Sequence, residues 1–208
     1  MQITASQVKE LREKTGAGMM DCKLALQKAG GDIDKAVEDL RKSGILKAEK
    51  KAERATGEGM IGSYVHAGSK LAVLVEINCE TDFAARSDQF QAFAKDIAMH
   101  VAAQNPLVVS REEVPEALVA KERDIYREQA VKEGKPEKVV DKIVDGKLEK
   151  YFSEICLMEQ PYVKDTDITI EEFLKQTIAT LGENIRIRRF VRMKLGETQE
   201  KSPADASA

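Results

Sequence analysis

The sequence predicts an α+β protein: a three-helix N-terminal module, then a small antiparallel sheet packed with helices and carrying an antiparallel helical hairpin. Three observations lead there. Through the first 45 residues the apolar positions read as three short helices. From Gly59 the period changes to that of a β-hairpin. Between residues 111 and 157, two charged helical arms with thin apolar seams flank the turn Gly134-Lys-Pro136. The chain is thereby expected to divide into a module over 1–45, a charged linker over 46–56, an α+β core domain over 57–196 and a disordered tail over 197–208.

In chain order, Thr4-Ala-Ser-Gln7 matches a capping box, in which two side chains satisfy each other's orphan N–H groups. Val8 and Leu11, with Ile3, supply the first apolar stripe, and Gly16-Ala-Gly18 breaks the helix. A second helix carries Met19, Met20, Leu24, Ala25 and Leu26 and stops at Gly30-Gly31. Asp32 caps a third, with Ile33, Ala36, Val37 and Leu40 inward and Ser43-Gly44 as its expected close. Three such helices bury only a small core and leave faces open to a partner. Lys47 to Arg54 reads as a solvated helical linker, because Glu49 and Glu53 interrupt its basic run.

Met60–Ala67, a Gly68-Ser69 turn and Leu71–Cys79 read as the hairpin. The second strand is apolar on both faces and is expected to be central. Ser87 caps a helix to Gln104, with Phe90, Phe93, Ala94, Ile97, Ala98 and Val101 on one face. Ser110-Arg-Glu-Glu113 is a second capping-box pattern, ahead of helical arms from Pro115 to Glu133 and on to Cys156. Thr169-Ile-Glu-Glu172 opens another helix, which Gly182 closes. In the final strand, Ile185, Ile187, Val191, Met193 and Leu195 are expected on one side, and Arg186, Arg188, Arg192 and Lys194, with Phe190, on the other.

Composition narrows the function. The chain has 208 residues, 33 basic against 36 acidic, giving a net charge of -3. That balance argues against nucleic acid as the main ligand. The three cysteines, Cys22, Cys79 and Cys156, form no CxxC pair and fit free thiols in a reducing compartment. No signal-peptide pattern opens the chain, and no apolar run approaches the roughly 20 residues of a membrane span. A cytoplasmic protein is expected. Without a glycine-rich phosphate loop, a nucleotide site of its own is not expected, and no cofactor or metal is.

The stretch Ile77-Asn-Cys-Glu-Thr-Asp-Phe83 ends an apolar strand in a polar turn that carries one phenylalanine. A Cys79/His66/Asp82 nucleophile site can be drawn there, but nothing in the sequence fixes an imidazole between thiol and acid. With only two histidines, His66 and His100, and no i, i+4 pair, metal-ligand spacing is missing as well. On these grounds the chain is not expected to be an enzyme. His100, at the polar end of an apolar helix face, fits a hydrogen-bonded structural histidine. The basic strand face admits an RNA- or ribosome-binding alternative with Phe190 as a stacking platform; a soluble outer face protected from edge pairing is the other reading. Met19-Met20 suits either core filling or an adaptable partner groove.

Leu11–Leu26 ("LREKTGAGMMDCKLAL"), Gly31–Gly44 ("GDIDKAVEDLRKSG") and "NCETDFAARSDQFQAFA" resemble the bacterial elongation factor Ts family. "IAMHVAAQNP", "QPYVKD" and "GENIRIRRF" fit it too, and the resemblance runs from residue 3 to 196. It implies a guanine nucleotide exchange factor of translation elongation that binds the GTPase elongation factor Tu and promotes GDP release. It likens the N-terminal module to a ubiquitin-associated-type bundle docking through Arg12, Met19, Met20 and Lys23. Thr81, Asp82, Phe83 and Ala84 match the segment that reaches toward the partner's Mg²⁺ and phosphate region. His100, Leu181 and Gly182 match further contact positions. Longer members carry two related sheet subdomains where this chain has one, which implies a homodimer with the sheet region as interface.

Overall fold

The computed structural model describes residues 3–197. Helices α1 (Ala5–Thr15), α2 (Met19–Lys28) and α3 (Ile33–Glu49) lead into strands β1 (Glu58–Val65) and β2 (Leu71–Cys79). A single-turn helix α4 (Asp82–Ala85) and helix α5 (Asp88–Gln104) follow. Helices α6 (Glu116–Lys132) and α7 (Glu137–Ile155) form the hairpin. Strands β3 (Pro161–Tyr162) and β4 (Asp165–Thr169), helix α8 (Ile170–Leu181) and strand β5 (Ile185–Lys194) complete the order. The class is α+β, as expected. Beyond Glu197 the expected tail lies outside the described residues.

The sheet has the order β1-β2-β5, so the apolar strand β2 is central. Its odd residues Val73, Val75, Ile77 and Cys79 are buried while Leu74 faces out. β1 starts with its backbone against β2: a Cβ on Gly59 would stand 2.2 Å from the Ile77 carbonyl oxygen, at φ +150. Only glycine fits there. β5 does not keep one inward face. Ile185 and Ile187 are buried, but Val191, Met193 and Leu195 are exposed, and Phe190 and Arg192 turn half-buried instead. Burial thus changes parity between Ile187 and Phe190, although the alternation of residue types continues to Leu195.

By packing, the chain forms two compact units. One holds the chain up to Ile61 with Glu76–Ala94 and Glu171–Ile187; the other holds Gly62–Val75, Lys95–Ile170 and the chain from Arg188. In the first, α1, α2 and α3 close over Val8, Leu11, Cys22, Ala25, Leu26 and Ala36. The Thr4 capping box forms, with Gln7 N–H donating to Thr4 Oγ1 at 3.3 Å and Thr4 N–H to Gln7 Oε1 at 3.0 Å. α3 runs through Gly44, where it was expected to stop. A Cβ at residue 44 would lie 3.2 Å from Ala179 Cβ, so this glycine lets two helices approach closely and serves packing, not termination. Phe93 and Phe173 add a tilted ring pair at 5.1 Å.

In the second unit, α6 and α7 bury Ala130, Val140, Val144 and Leu148, with Val119, Tyr126, Ile143 and Phe152 around them. Arg123–Asp145 (3.0 Å) and Arg127–Asp141 (2.6 Å) bridge the arms on the surface. The Ser110 capping box does not form: Glu113 accepts Val109 N–H instead, and residues 111–113 make a 3-10 turn. β3 and β4 pair antiparallel, Pro161 opposite Thr169 and Tyr162 opposite Asp165. So short and polar a pair has no alternation for sequence reading to find.

Candidate functional site

β2 ends at Cys79, and the chain must leave the sheet and begin a helix within three residues. Thr81 makes that possible. Its backbone is extended (φ -131, ψ 153), and its Oγ1 accepts the Ala84 N–H at 3.2 Å, which makes it the N-cap of α4. Ser87 Oγ donates to Ala84 O at 2.7 Å and accepts Phe90 N–H at 3.3 Å, so it closes α4 and caps α5 in one step. Between the two caps stands Phe83, 82% exposed, the most exposed large apolar side chain among the described residues. Thr81, Asp82 and Ala84 are half-buried. Asp82 pairs with Arg86 one turn on, at 2.9 Å.

The turn is tied down from the far end of the sequence. Glu183 accepts Thr81 N–H (3.1 Å) and Thr81 Oγ1–H (2.6 Å), one on each carboxylate oxygen. The next residue, Asn184, donates its N–H to Glu80 Oε1 at 2.6 Å. This bond is the main reason the Glu80 carboxyl lies below its usual range, with Arg54 adding to it. Asn184 is buried, and its Nδ2 donates to Ala52 O (3.3 Å) and Arg54 O (2.7 Å). Sequence reasoning assigned no role to Glu183, Asn184 or Arg54. The legible signal was a polar pair held between a helix-closing glycine and a buried strand.

The other residues singled out from the sequence divide by exposure. Arg12, Met19 (48%), Met20 (67%) and Lys23 are exposed on the three-helix module, with Leu24 beside them at 50%. The α1–α2 loop just before Met19 lies against α8: a Cβ on Gly16 would stand 3.4 Å from Thr180 Cγ2 and 3.8 Å from Gln89 Nε2. Module and turn therefore belong to one packed unit. Leu181 is half-buried, and Gly182, at φ +80, closes α8 with its N–H on Ile178 O at 2.9 Å.

His100 is fully buried. The Val163 N–H donates to Nδ1 at 3.2 Å, so the proton sits on Nε2 and donates to Gln160 Oε1 at 3.0 Å. Burial pushes this imidazole below its ordinary range. The hydrogen-bonded structural histidine is thus what the fold holds.

Covalent chemistry at the turn finds poor support. The Cys79 thiol is buried and donates to Thr81 O at 3.1 Å, and burial pushes its pKa up, away from the reactive thiolate. His66 is exposed, with Nδ1 2.9 Å from Tyr64 Oη. Among the described residues no cluster of His, Cys, Asp or Glu could hold a metal ion. No helix among them is long and apolar enough to cross a membrane.

The turn is thus capped at both ends, braced by Glu183, and holds an aromatic ring in solvent. The comparisons give the chain a family. The sequence matches the family described as "Elongation factor TS" over residues 7–197. It is 57% identical to the elongation factor Ts of Geobacter sulfurreducens over 208 residues, covering 100% of this chain and 96% of that one. It is 56% identical to that of Carboxydothermus hydrogenoformans over 206 residues (99% and 95%), and 58% to that of Nitratidesulfovibrio vulgaris over 196 (94% and 98%). The chain belongs to the elongation factor Ts family, which places it among the nucleotide exchange factors of translation elongation.

Proposed function

We propose that this chain binds the GDP form of elongation factor Tu in the cytoplasm and drives GDP out by inserting the Asp82-Phe83 turn beside the partner's Mg²⁺ and phosphate site. The observation that carries the reading is Phe83, 82% exposed on a helix capped and held by Thr81. A GTPase holds GDP through Mg²⁺ and backbone amides around the diphosphate. An exchange factor needs no bond-making step. It must bind the nucleotide-free partner more tightly than the GDP form, and by linkage GDP weakens its binding in return. Each tenfold loss of GDP affinity takes about 1.4 kcal/mol of differential binding.

Phe83 can supply that difference. Burying a phenylalanine ring in a partner gap contributes about 1.5–3 kcal/mol, and a ring fixed before contact loses little entropy on docking. Asp82 carries negative charge toward a region arranged for phosphate and Mg²⁺; in the free protein Arg86 holds that charge at 2.9 Å. Arg12, Met19, Met20 and Lys23, on the module over residues 1–45, add affinity and register, the thioethers moulding to the partner. Leu181 and Gly182 lie in the same unit. His100, being buried, contributes only through the Val163 backbone that it holds.

The working form is a homodimer. Val65, Leu74, Val191 and Met193 are exposed on the three strands of the sheet, apolar side chains suited to burial against a second copy. Light scattering at micromolar concentration is expected to give twice the chain mass, and Leu74→Lys to give a monomer.

The exchange test is stopped-flow release of fluorescent GDP from elongation factor Tu. Phe83→Ala is expected to slow maximal stimulated release by about tenfold to a hundredfold, the range set by burying one ring. Release at the unaltered rate would sink the insertion mechanism. The basic strand makes a poor RNA platform: Arg186 is spent on Ala52 O at 2.5 Å, and Phe190 is half-buried.

A further inference from the structure

We infer that Glu183 is the positioning residue for exchange: its carboxylate fixes Thr81, and through Thr81 the direction in which Phe83 leaves the protein. The inference rests on the Phe83 reading above and adds the residue that sets it.

α4 is a single turn, Asp82–Ala85. A helix that short does not hold itself, since nucleation fixes several dihedrals for one hydrogen bond. Its direction must come from its N-cap. Thr81 Oγ1 uses one of its two lone pairs on Ala84 N–H and its only proton on Glu183 Oε1 at 2.6 Å, so the two partners fix the hydroxyl's orientation. Thr81 N–H goes to Glu183 Oε2 at 3.1 Å. Two bonds on two oxygens of one planar group fix rotation as well as position. Both are charge-assisted, the stronger class of hydrogen bond.

Glu183 is itself placed by backbone conformation. Gly182, at φ +80, ends α8 and turns the chain so that Glu183 faces Thr81 and Asn184 faces Glu80. Residues 80–81 and 183–184 are thus bonded at two adjacent positions, Glu80 with Asn184 and Thr81 with Glu183. Asn184 ties its pair to Ala52 and Arg54 and belongs to the fold. Glu183 ends on the N-cap of the exposed helix. A carboxylate kept for stability alone had no need to converge on the one residue from which the Phe83 helix starts.

The experiment is a double-substitution cycle read by fluorescent GDP release at saturating exchange factor, with affinity for nucleotide-free elongation factor Tu measured in parallel. Glu183→Ala is expected to slow maximal release about tenfold, the effect of a lost charged hydrogen bond. Glu183→Gln keeps the shape but leaves one donor without an acceptor, and is expected to slow release about threefold to fivefold. Both should also weaken binding to nucleotide-free elongation factor Tu, by no more than Phe83→Ala does, because the ring's differential contact is made in that complex. In the Phe83→Ala background either change should have no further effect on release, because without the ring there is nothing to aim. If Phe83→Ala slows release and Glu183→Gln does not, or if their effects multiply, Glu183 is a structural bracket only and the inference is overturned. If Glu183→Ala does not fold, Glu183→Gln decides alone. If Phe83→Ala itself leaves release unchanged, the insertion mechanism fails first, and the inference with it.

Discussion

Asn184 donates its backbone N–H to the Glu80 carboxylate at 2.6 Å, joining the entry of the last strand to the exit of the central one across 104 positions of sequence. Its side chain completes the junction through the carbonyls of Ala52 and Arg54. Three segments distant in sequence thus meet at one buried amide. The stability of the exposed turn is borrowed from this junction, not from the turn's own four residues.

Asn184→Ala is therefore expected to destabilise the protein by about 1–3 kcal/mol, because the Arg54 carbonyl loses its side-chain donor and the Ala52 carbonyl keeps only that of Arg186. Urea unfolding measures this. A midpoint shift with an unchanged slope would confirm a loss of stability without a change in the exposed surface. No shift would mean that the amide is dispensable.

Phe83→Ala should behave in the opposite way. A ring left 82% in solvent packs on little, so the substitution is expected to alter unfolding by no more than about 0.5 kcal/mol. Equilibrium unfolding beside the release assay keeps the two effects apart. A loss of several kcal/mol would make Phe83 part of the core and remove it from the contact surface.

What the sequence made legible follows from period and punctuation. The central place of Leu71–Cys79 was visible because a strand apolar on both faces must be covered. The caps at Thr4, Asp32 and Ser87 were visible because their chemistry is local, three residues from cap to N–H. Gly44 misled, since a glycine before a charged run reads as a stop, and its packing against Ala179 is set by a residue 135 positions on. The parity change after Ile187 was hidden because the alternation of residue types runs on unbroken to Leu195 while the burial does not follow it. At the site, Phe83 stood out as an aromatic in a polar turn. Glu183 did not, because its meaning lies in a contact across 102 positions.

Acid should loosen the β3–β4 region through His100. Its folded pKa is lowered by burial from the ordinary value of 6.5. Below that value the unfolded chain takes a proton that the folded one refuses, so stability falls as pH drops through about 6.5, and the loss is complete below the folded pKa. Protonated Nδ1 can no longer accept Val163 N–H. The groups nearby are Gln160, Tyr162 with its ring 6.3 Å away, and Asp96, which accepts from Tyr162 and pairs with Lys164. Thermal melts between about pH 7 and 5 should show the decline, and His100→Asn should flatten it. An equal slope in the variant would assign the effect elsewhere.

The helical hairpin separates packing from charge. Leu148 is 3% exposed in the seam of α6 and α7, and Leu148→Ala is expected to cost about 2–5 kcal/mol of local stability. Arg127→Ala removes a 2.6 Å bridge to Asp141 that lies in solvent, and should cost less than about 1 kcal/mol. Hydrogen exchange along α6 and α7 measures both. If the arginine variant opened the arms as far as the leucine variant, the surface bridges would carry more of the hairpin than their exposure allows.

Gly59 offers the sharpest test of the sheet. A methyl group there would meet the Ile77 carbonyl oxygen at 2.2 Å and the Asn78 Cα at 2.8 Å, both backbone atoms that cannot swing aside as a side chain could. The residue's φ of +150 adds strain for any L side chain. Gly59→Ala must therefore push β1 away from β2 at the point where the hairpin runs into the Cys79–Thr81 exit. The expected cost is about 3 kcal/mol or more, from steric overlap and an unfavourable backbone together. Because the displaced backbone is that of Ile77 and Asn78, three to four residues before Thr81, GDP release should slow even in the fraction that stays folded. Unfolding curves and release rates from the same preparation test this, and a variant as stable and as active as the parent would mean that the two strands do not approach this closely.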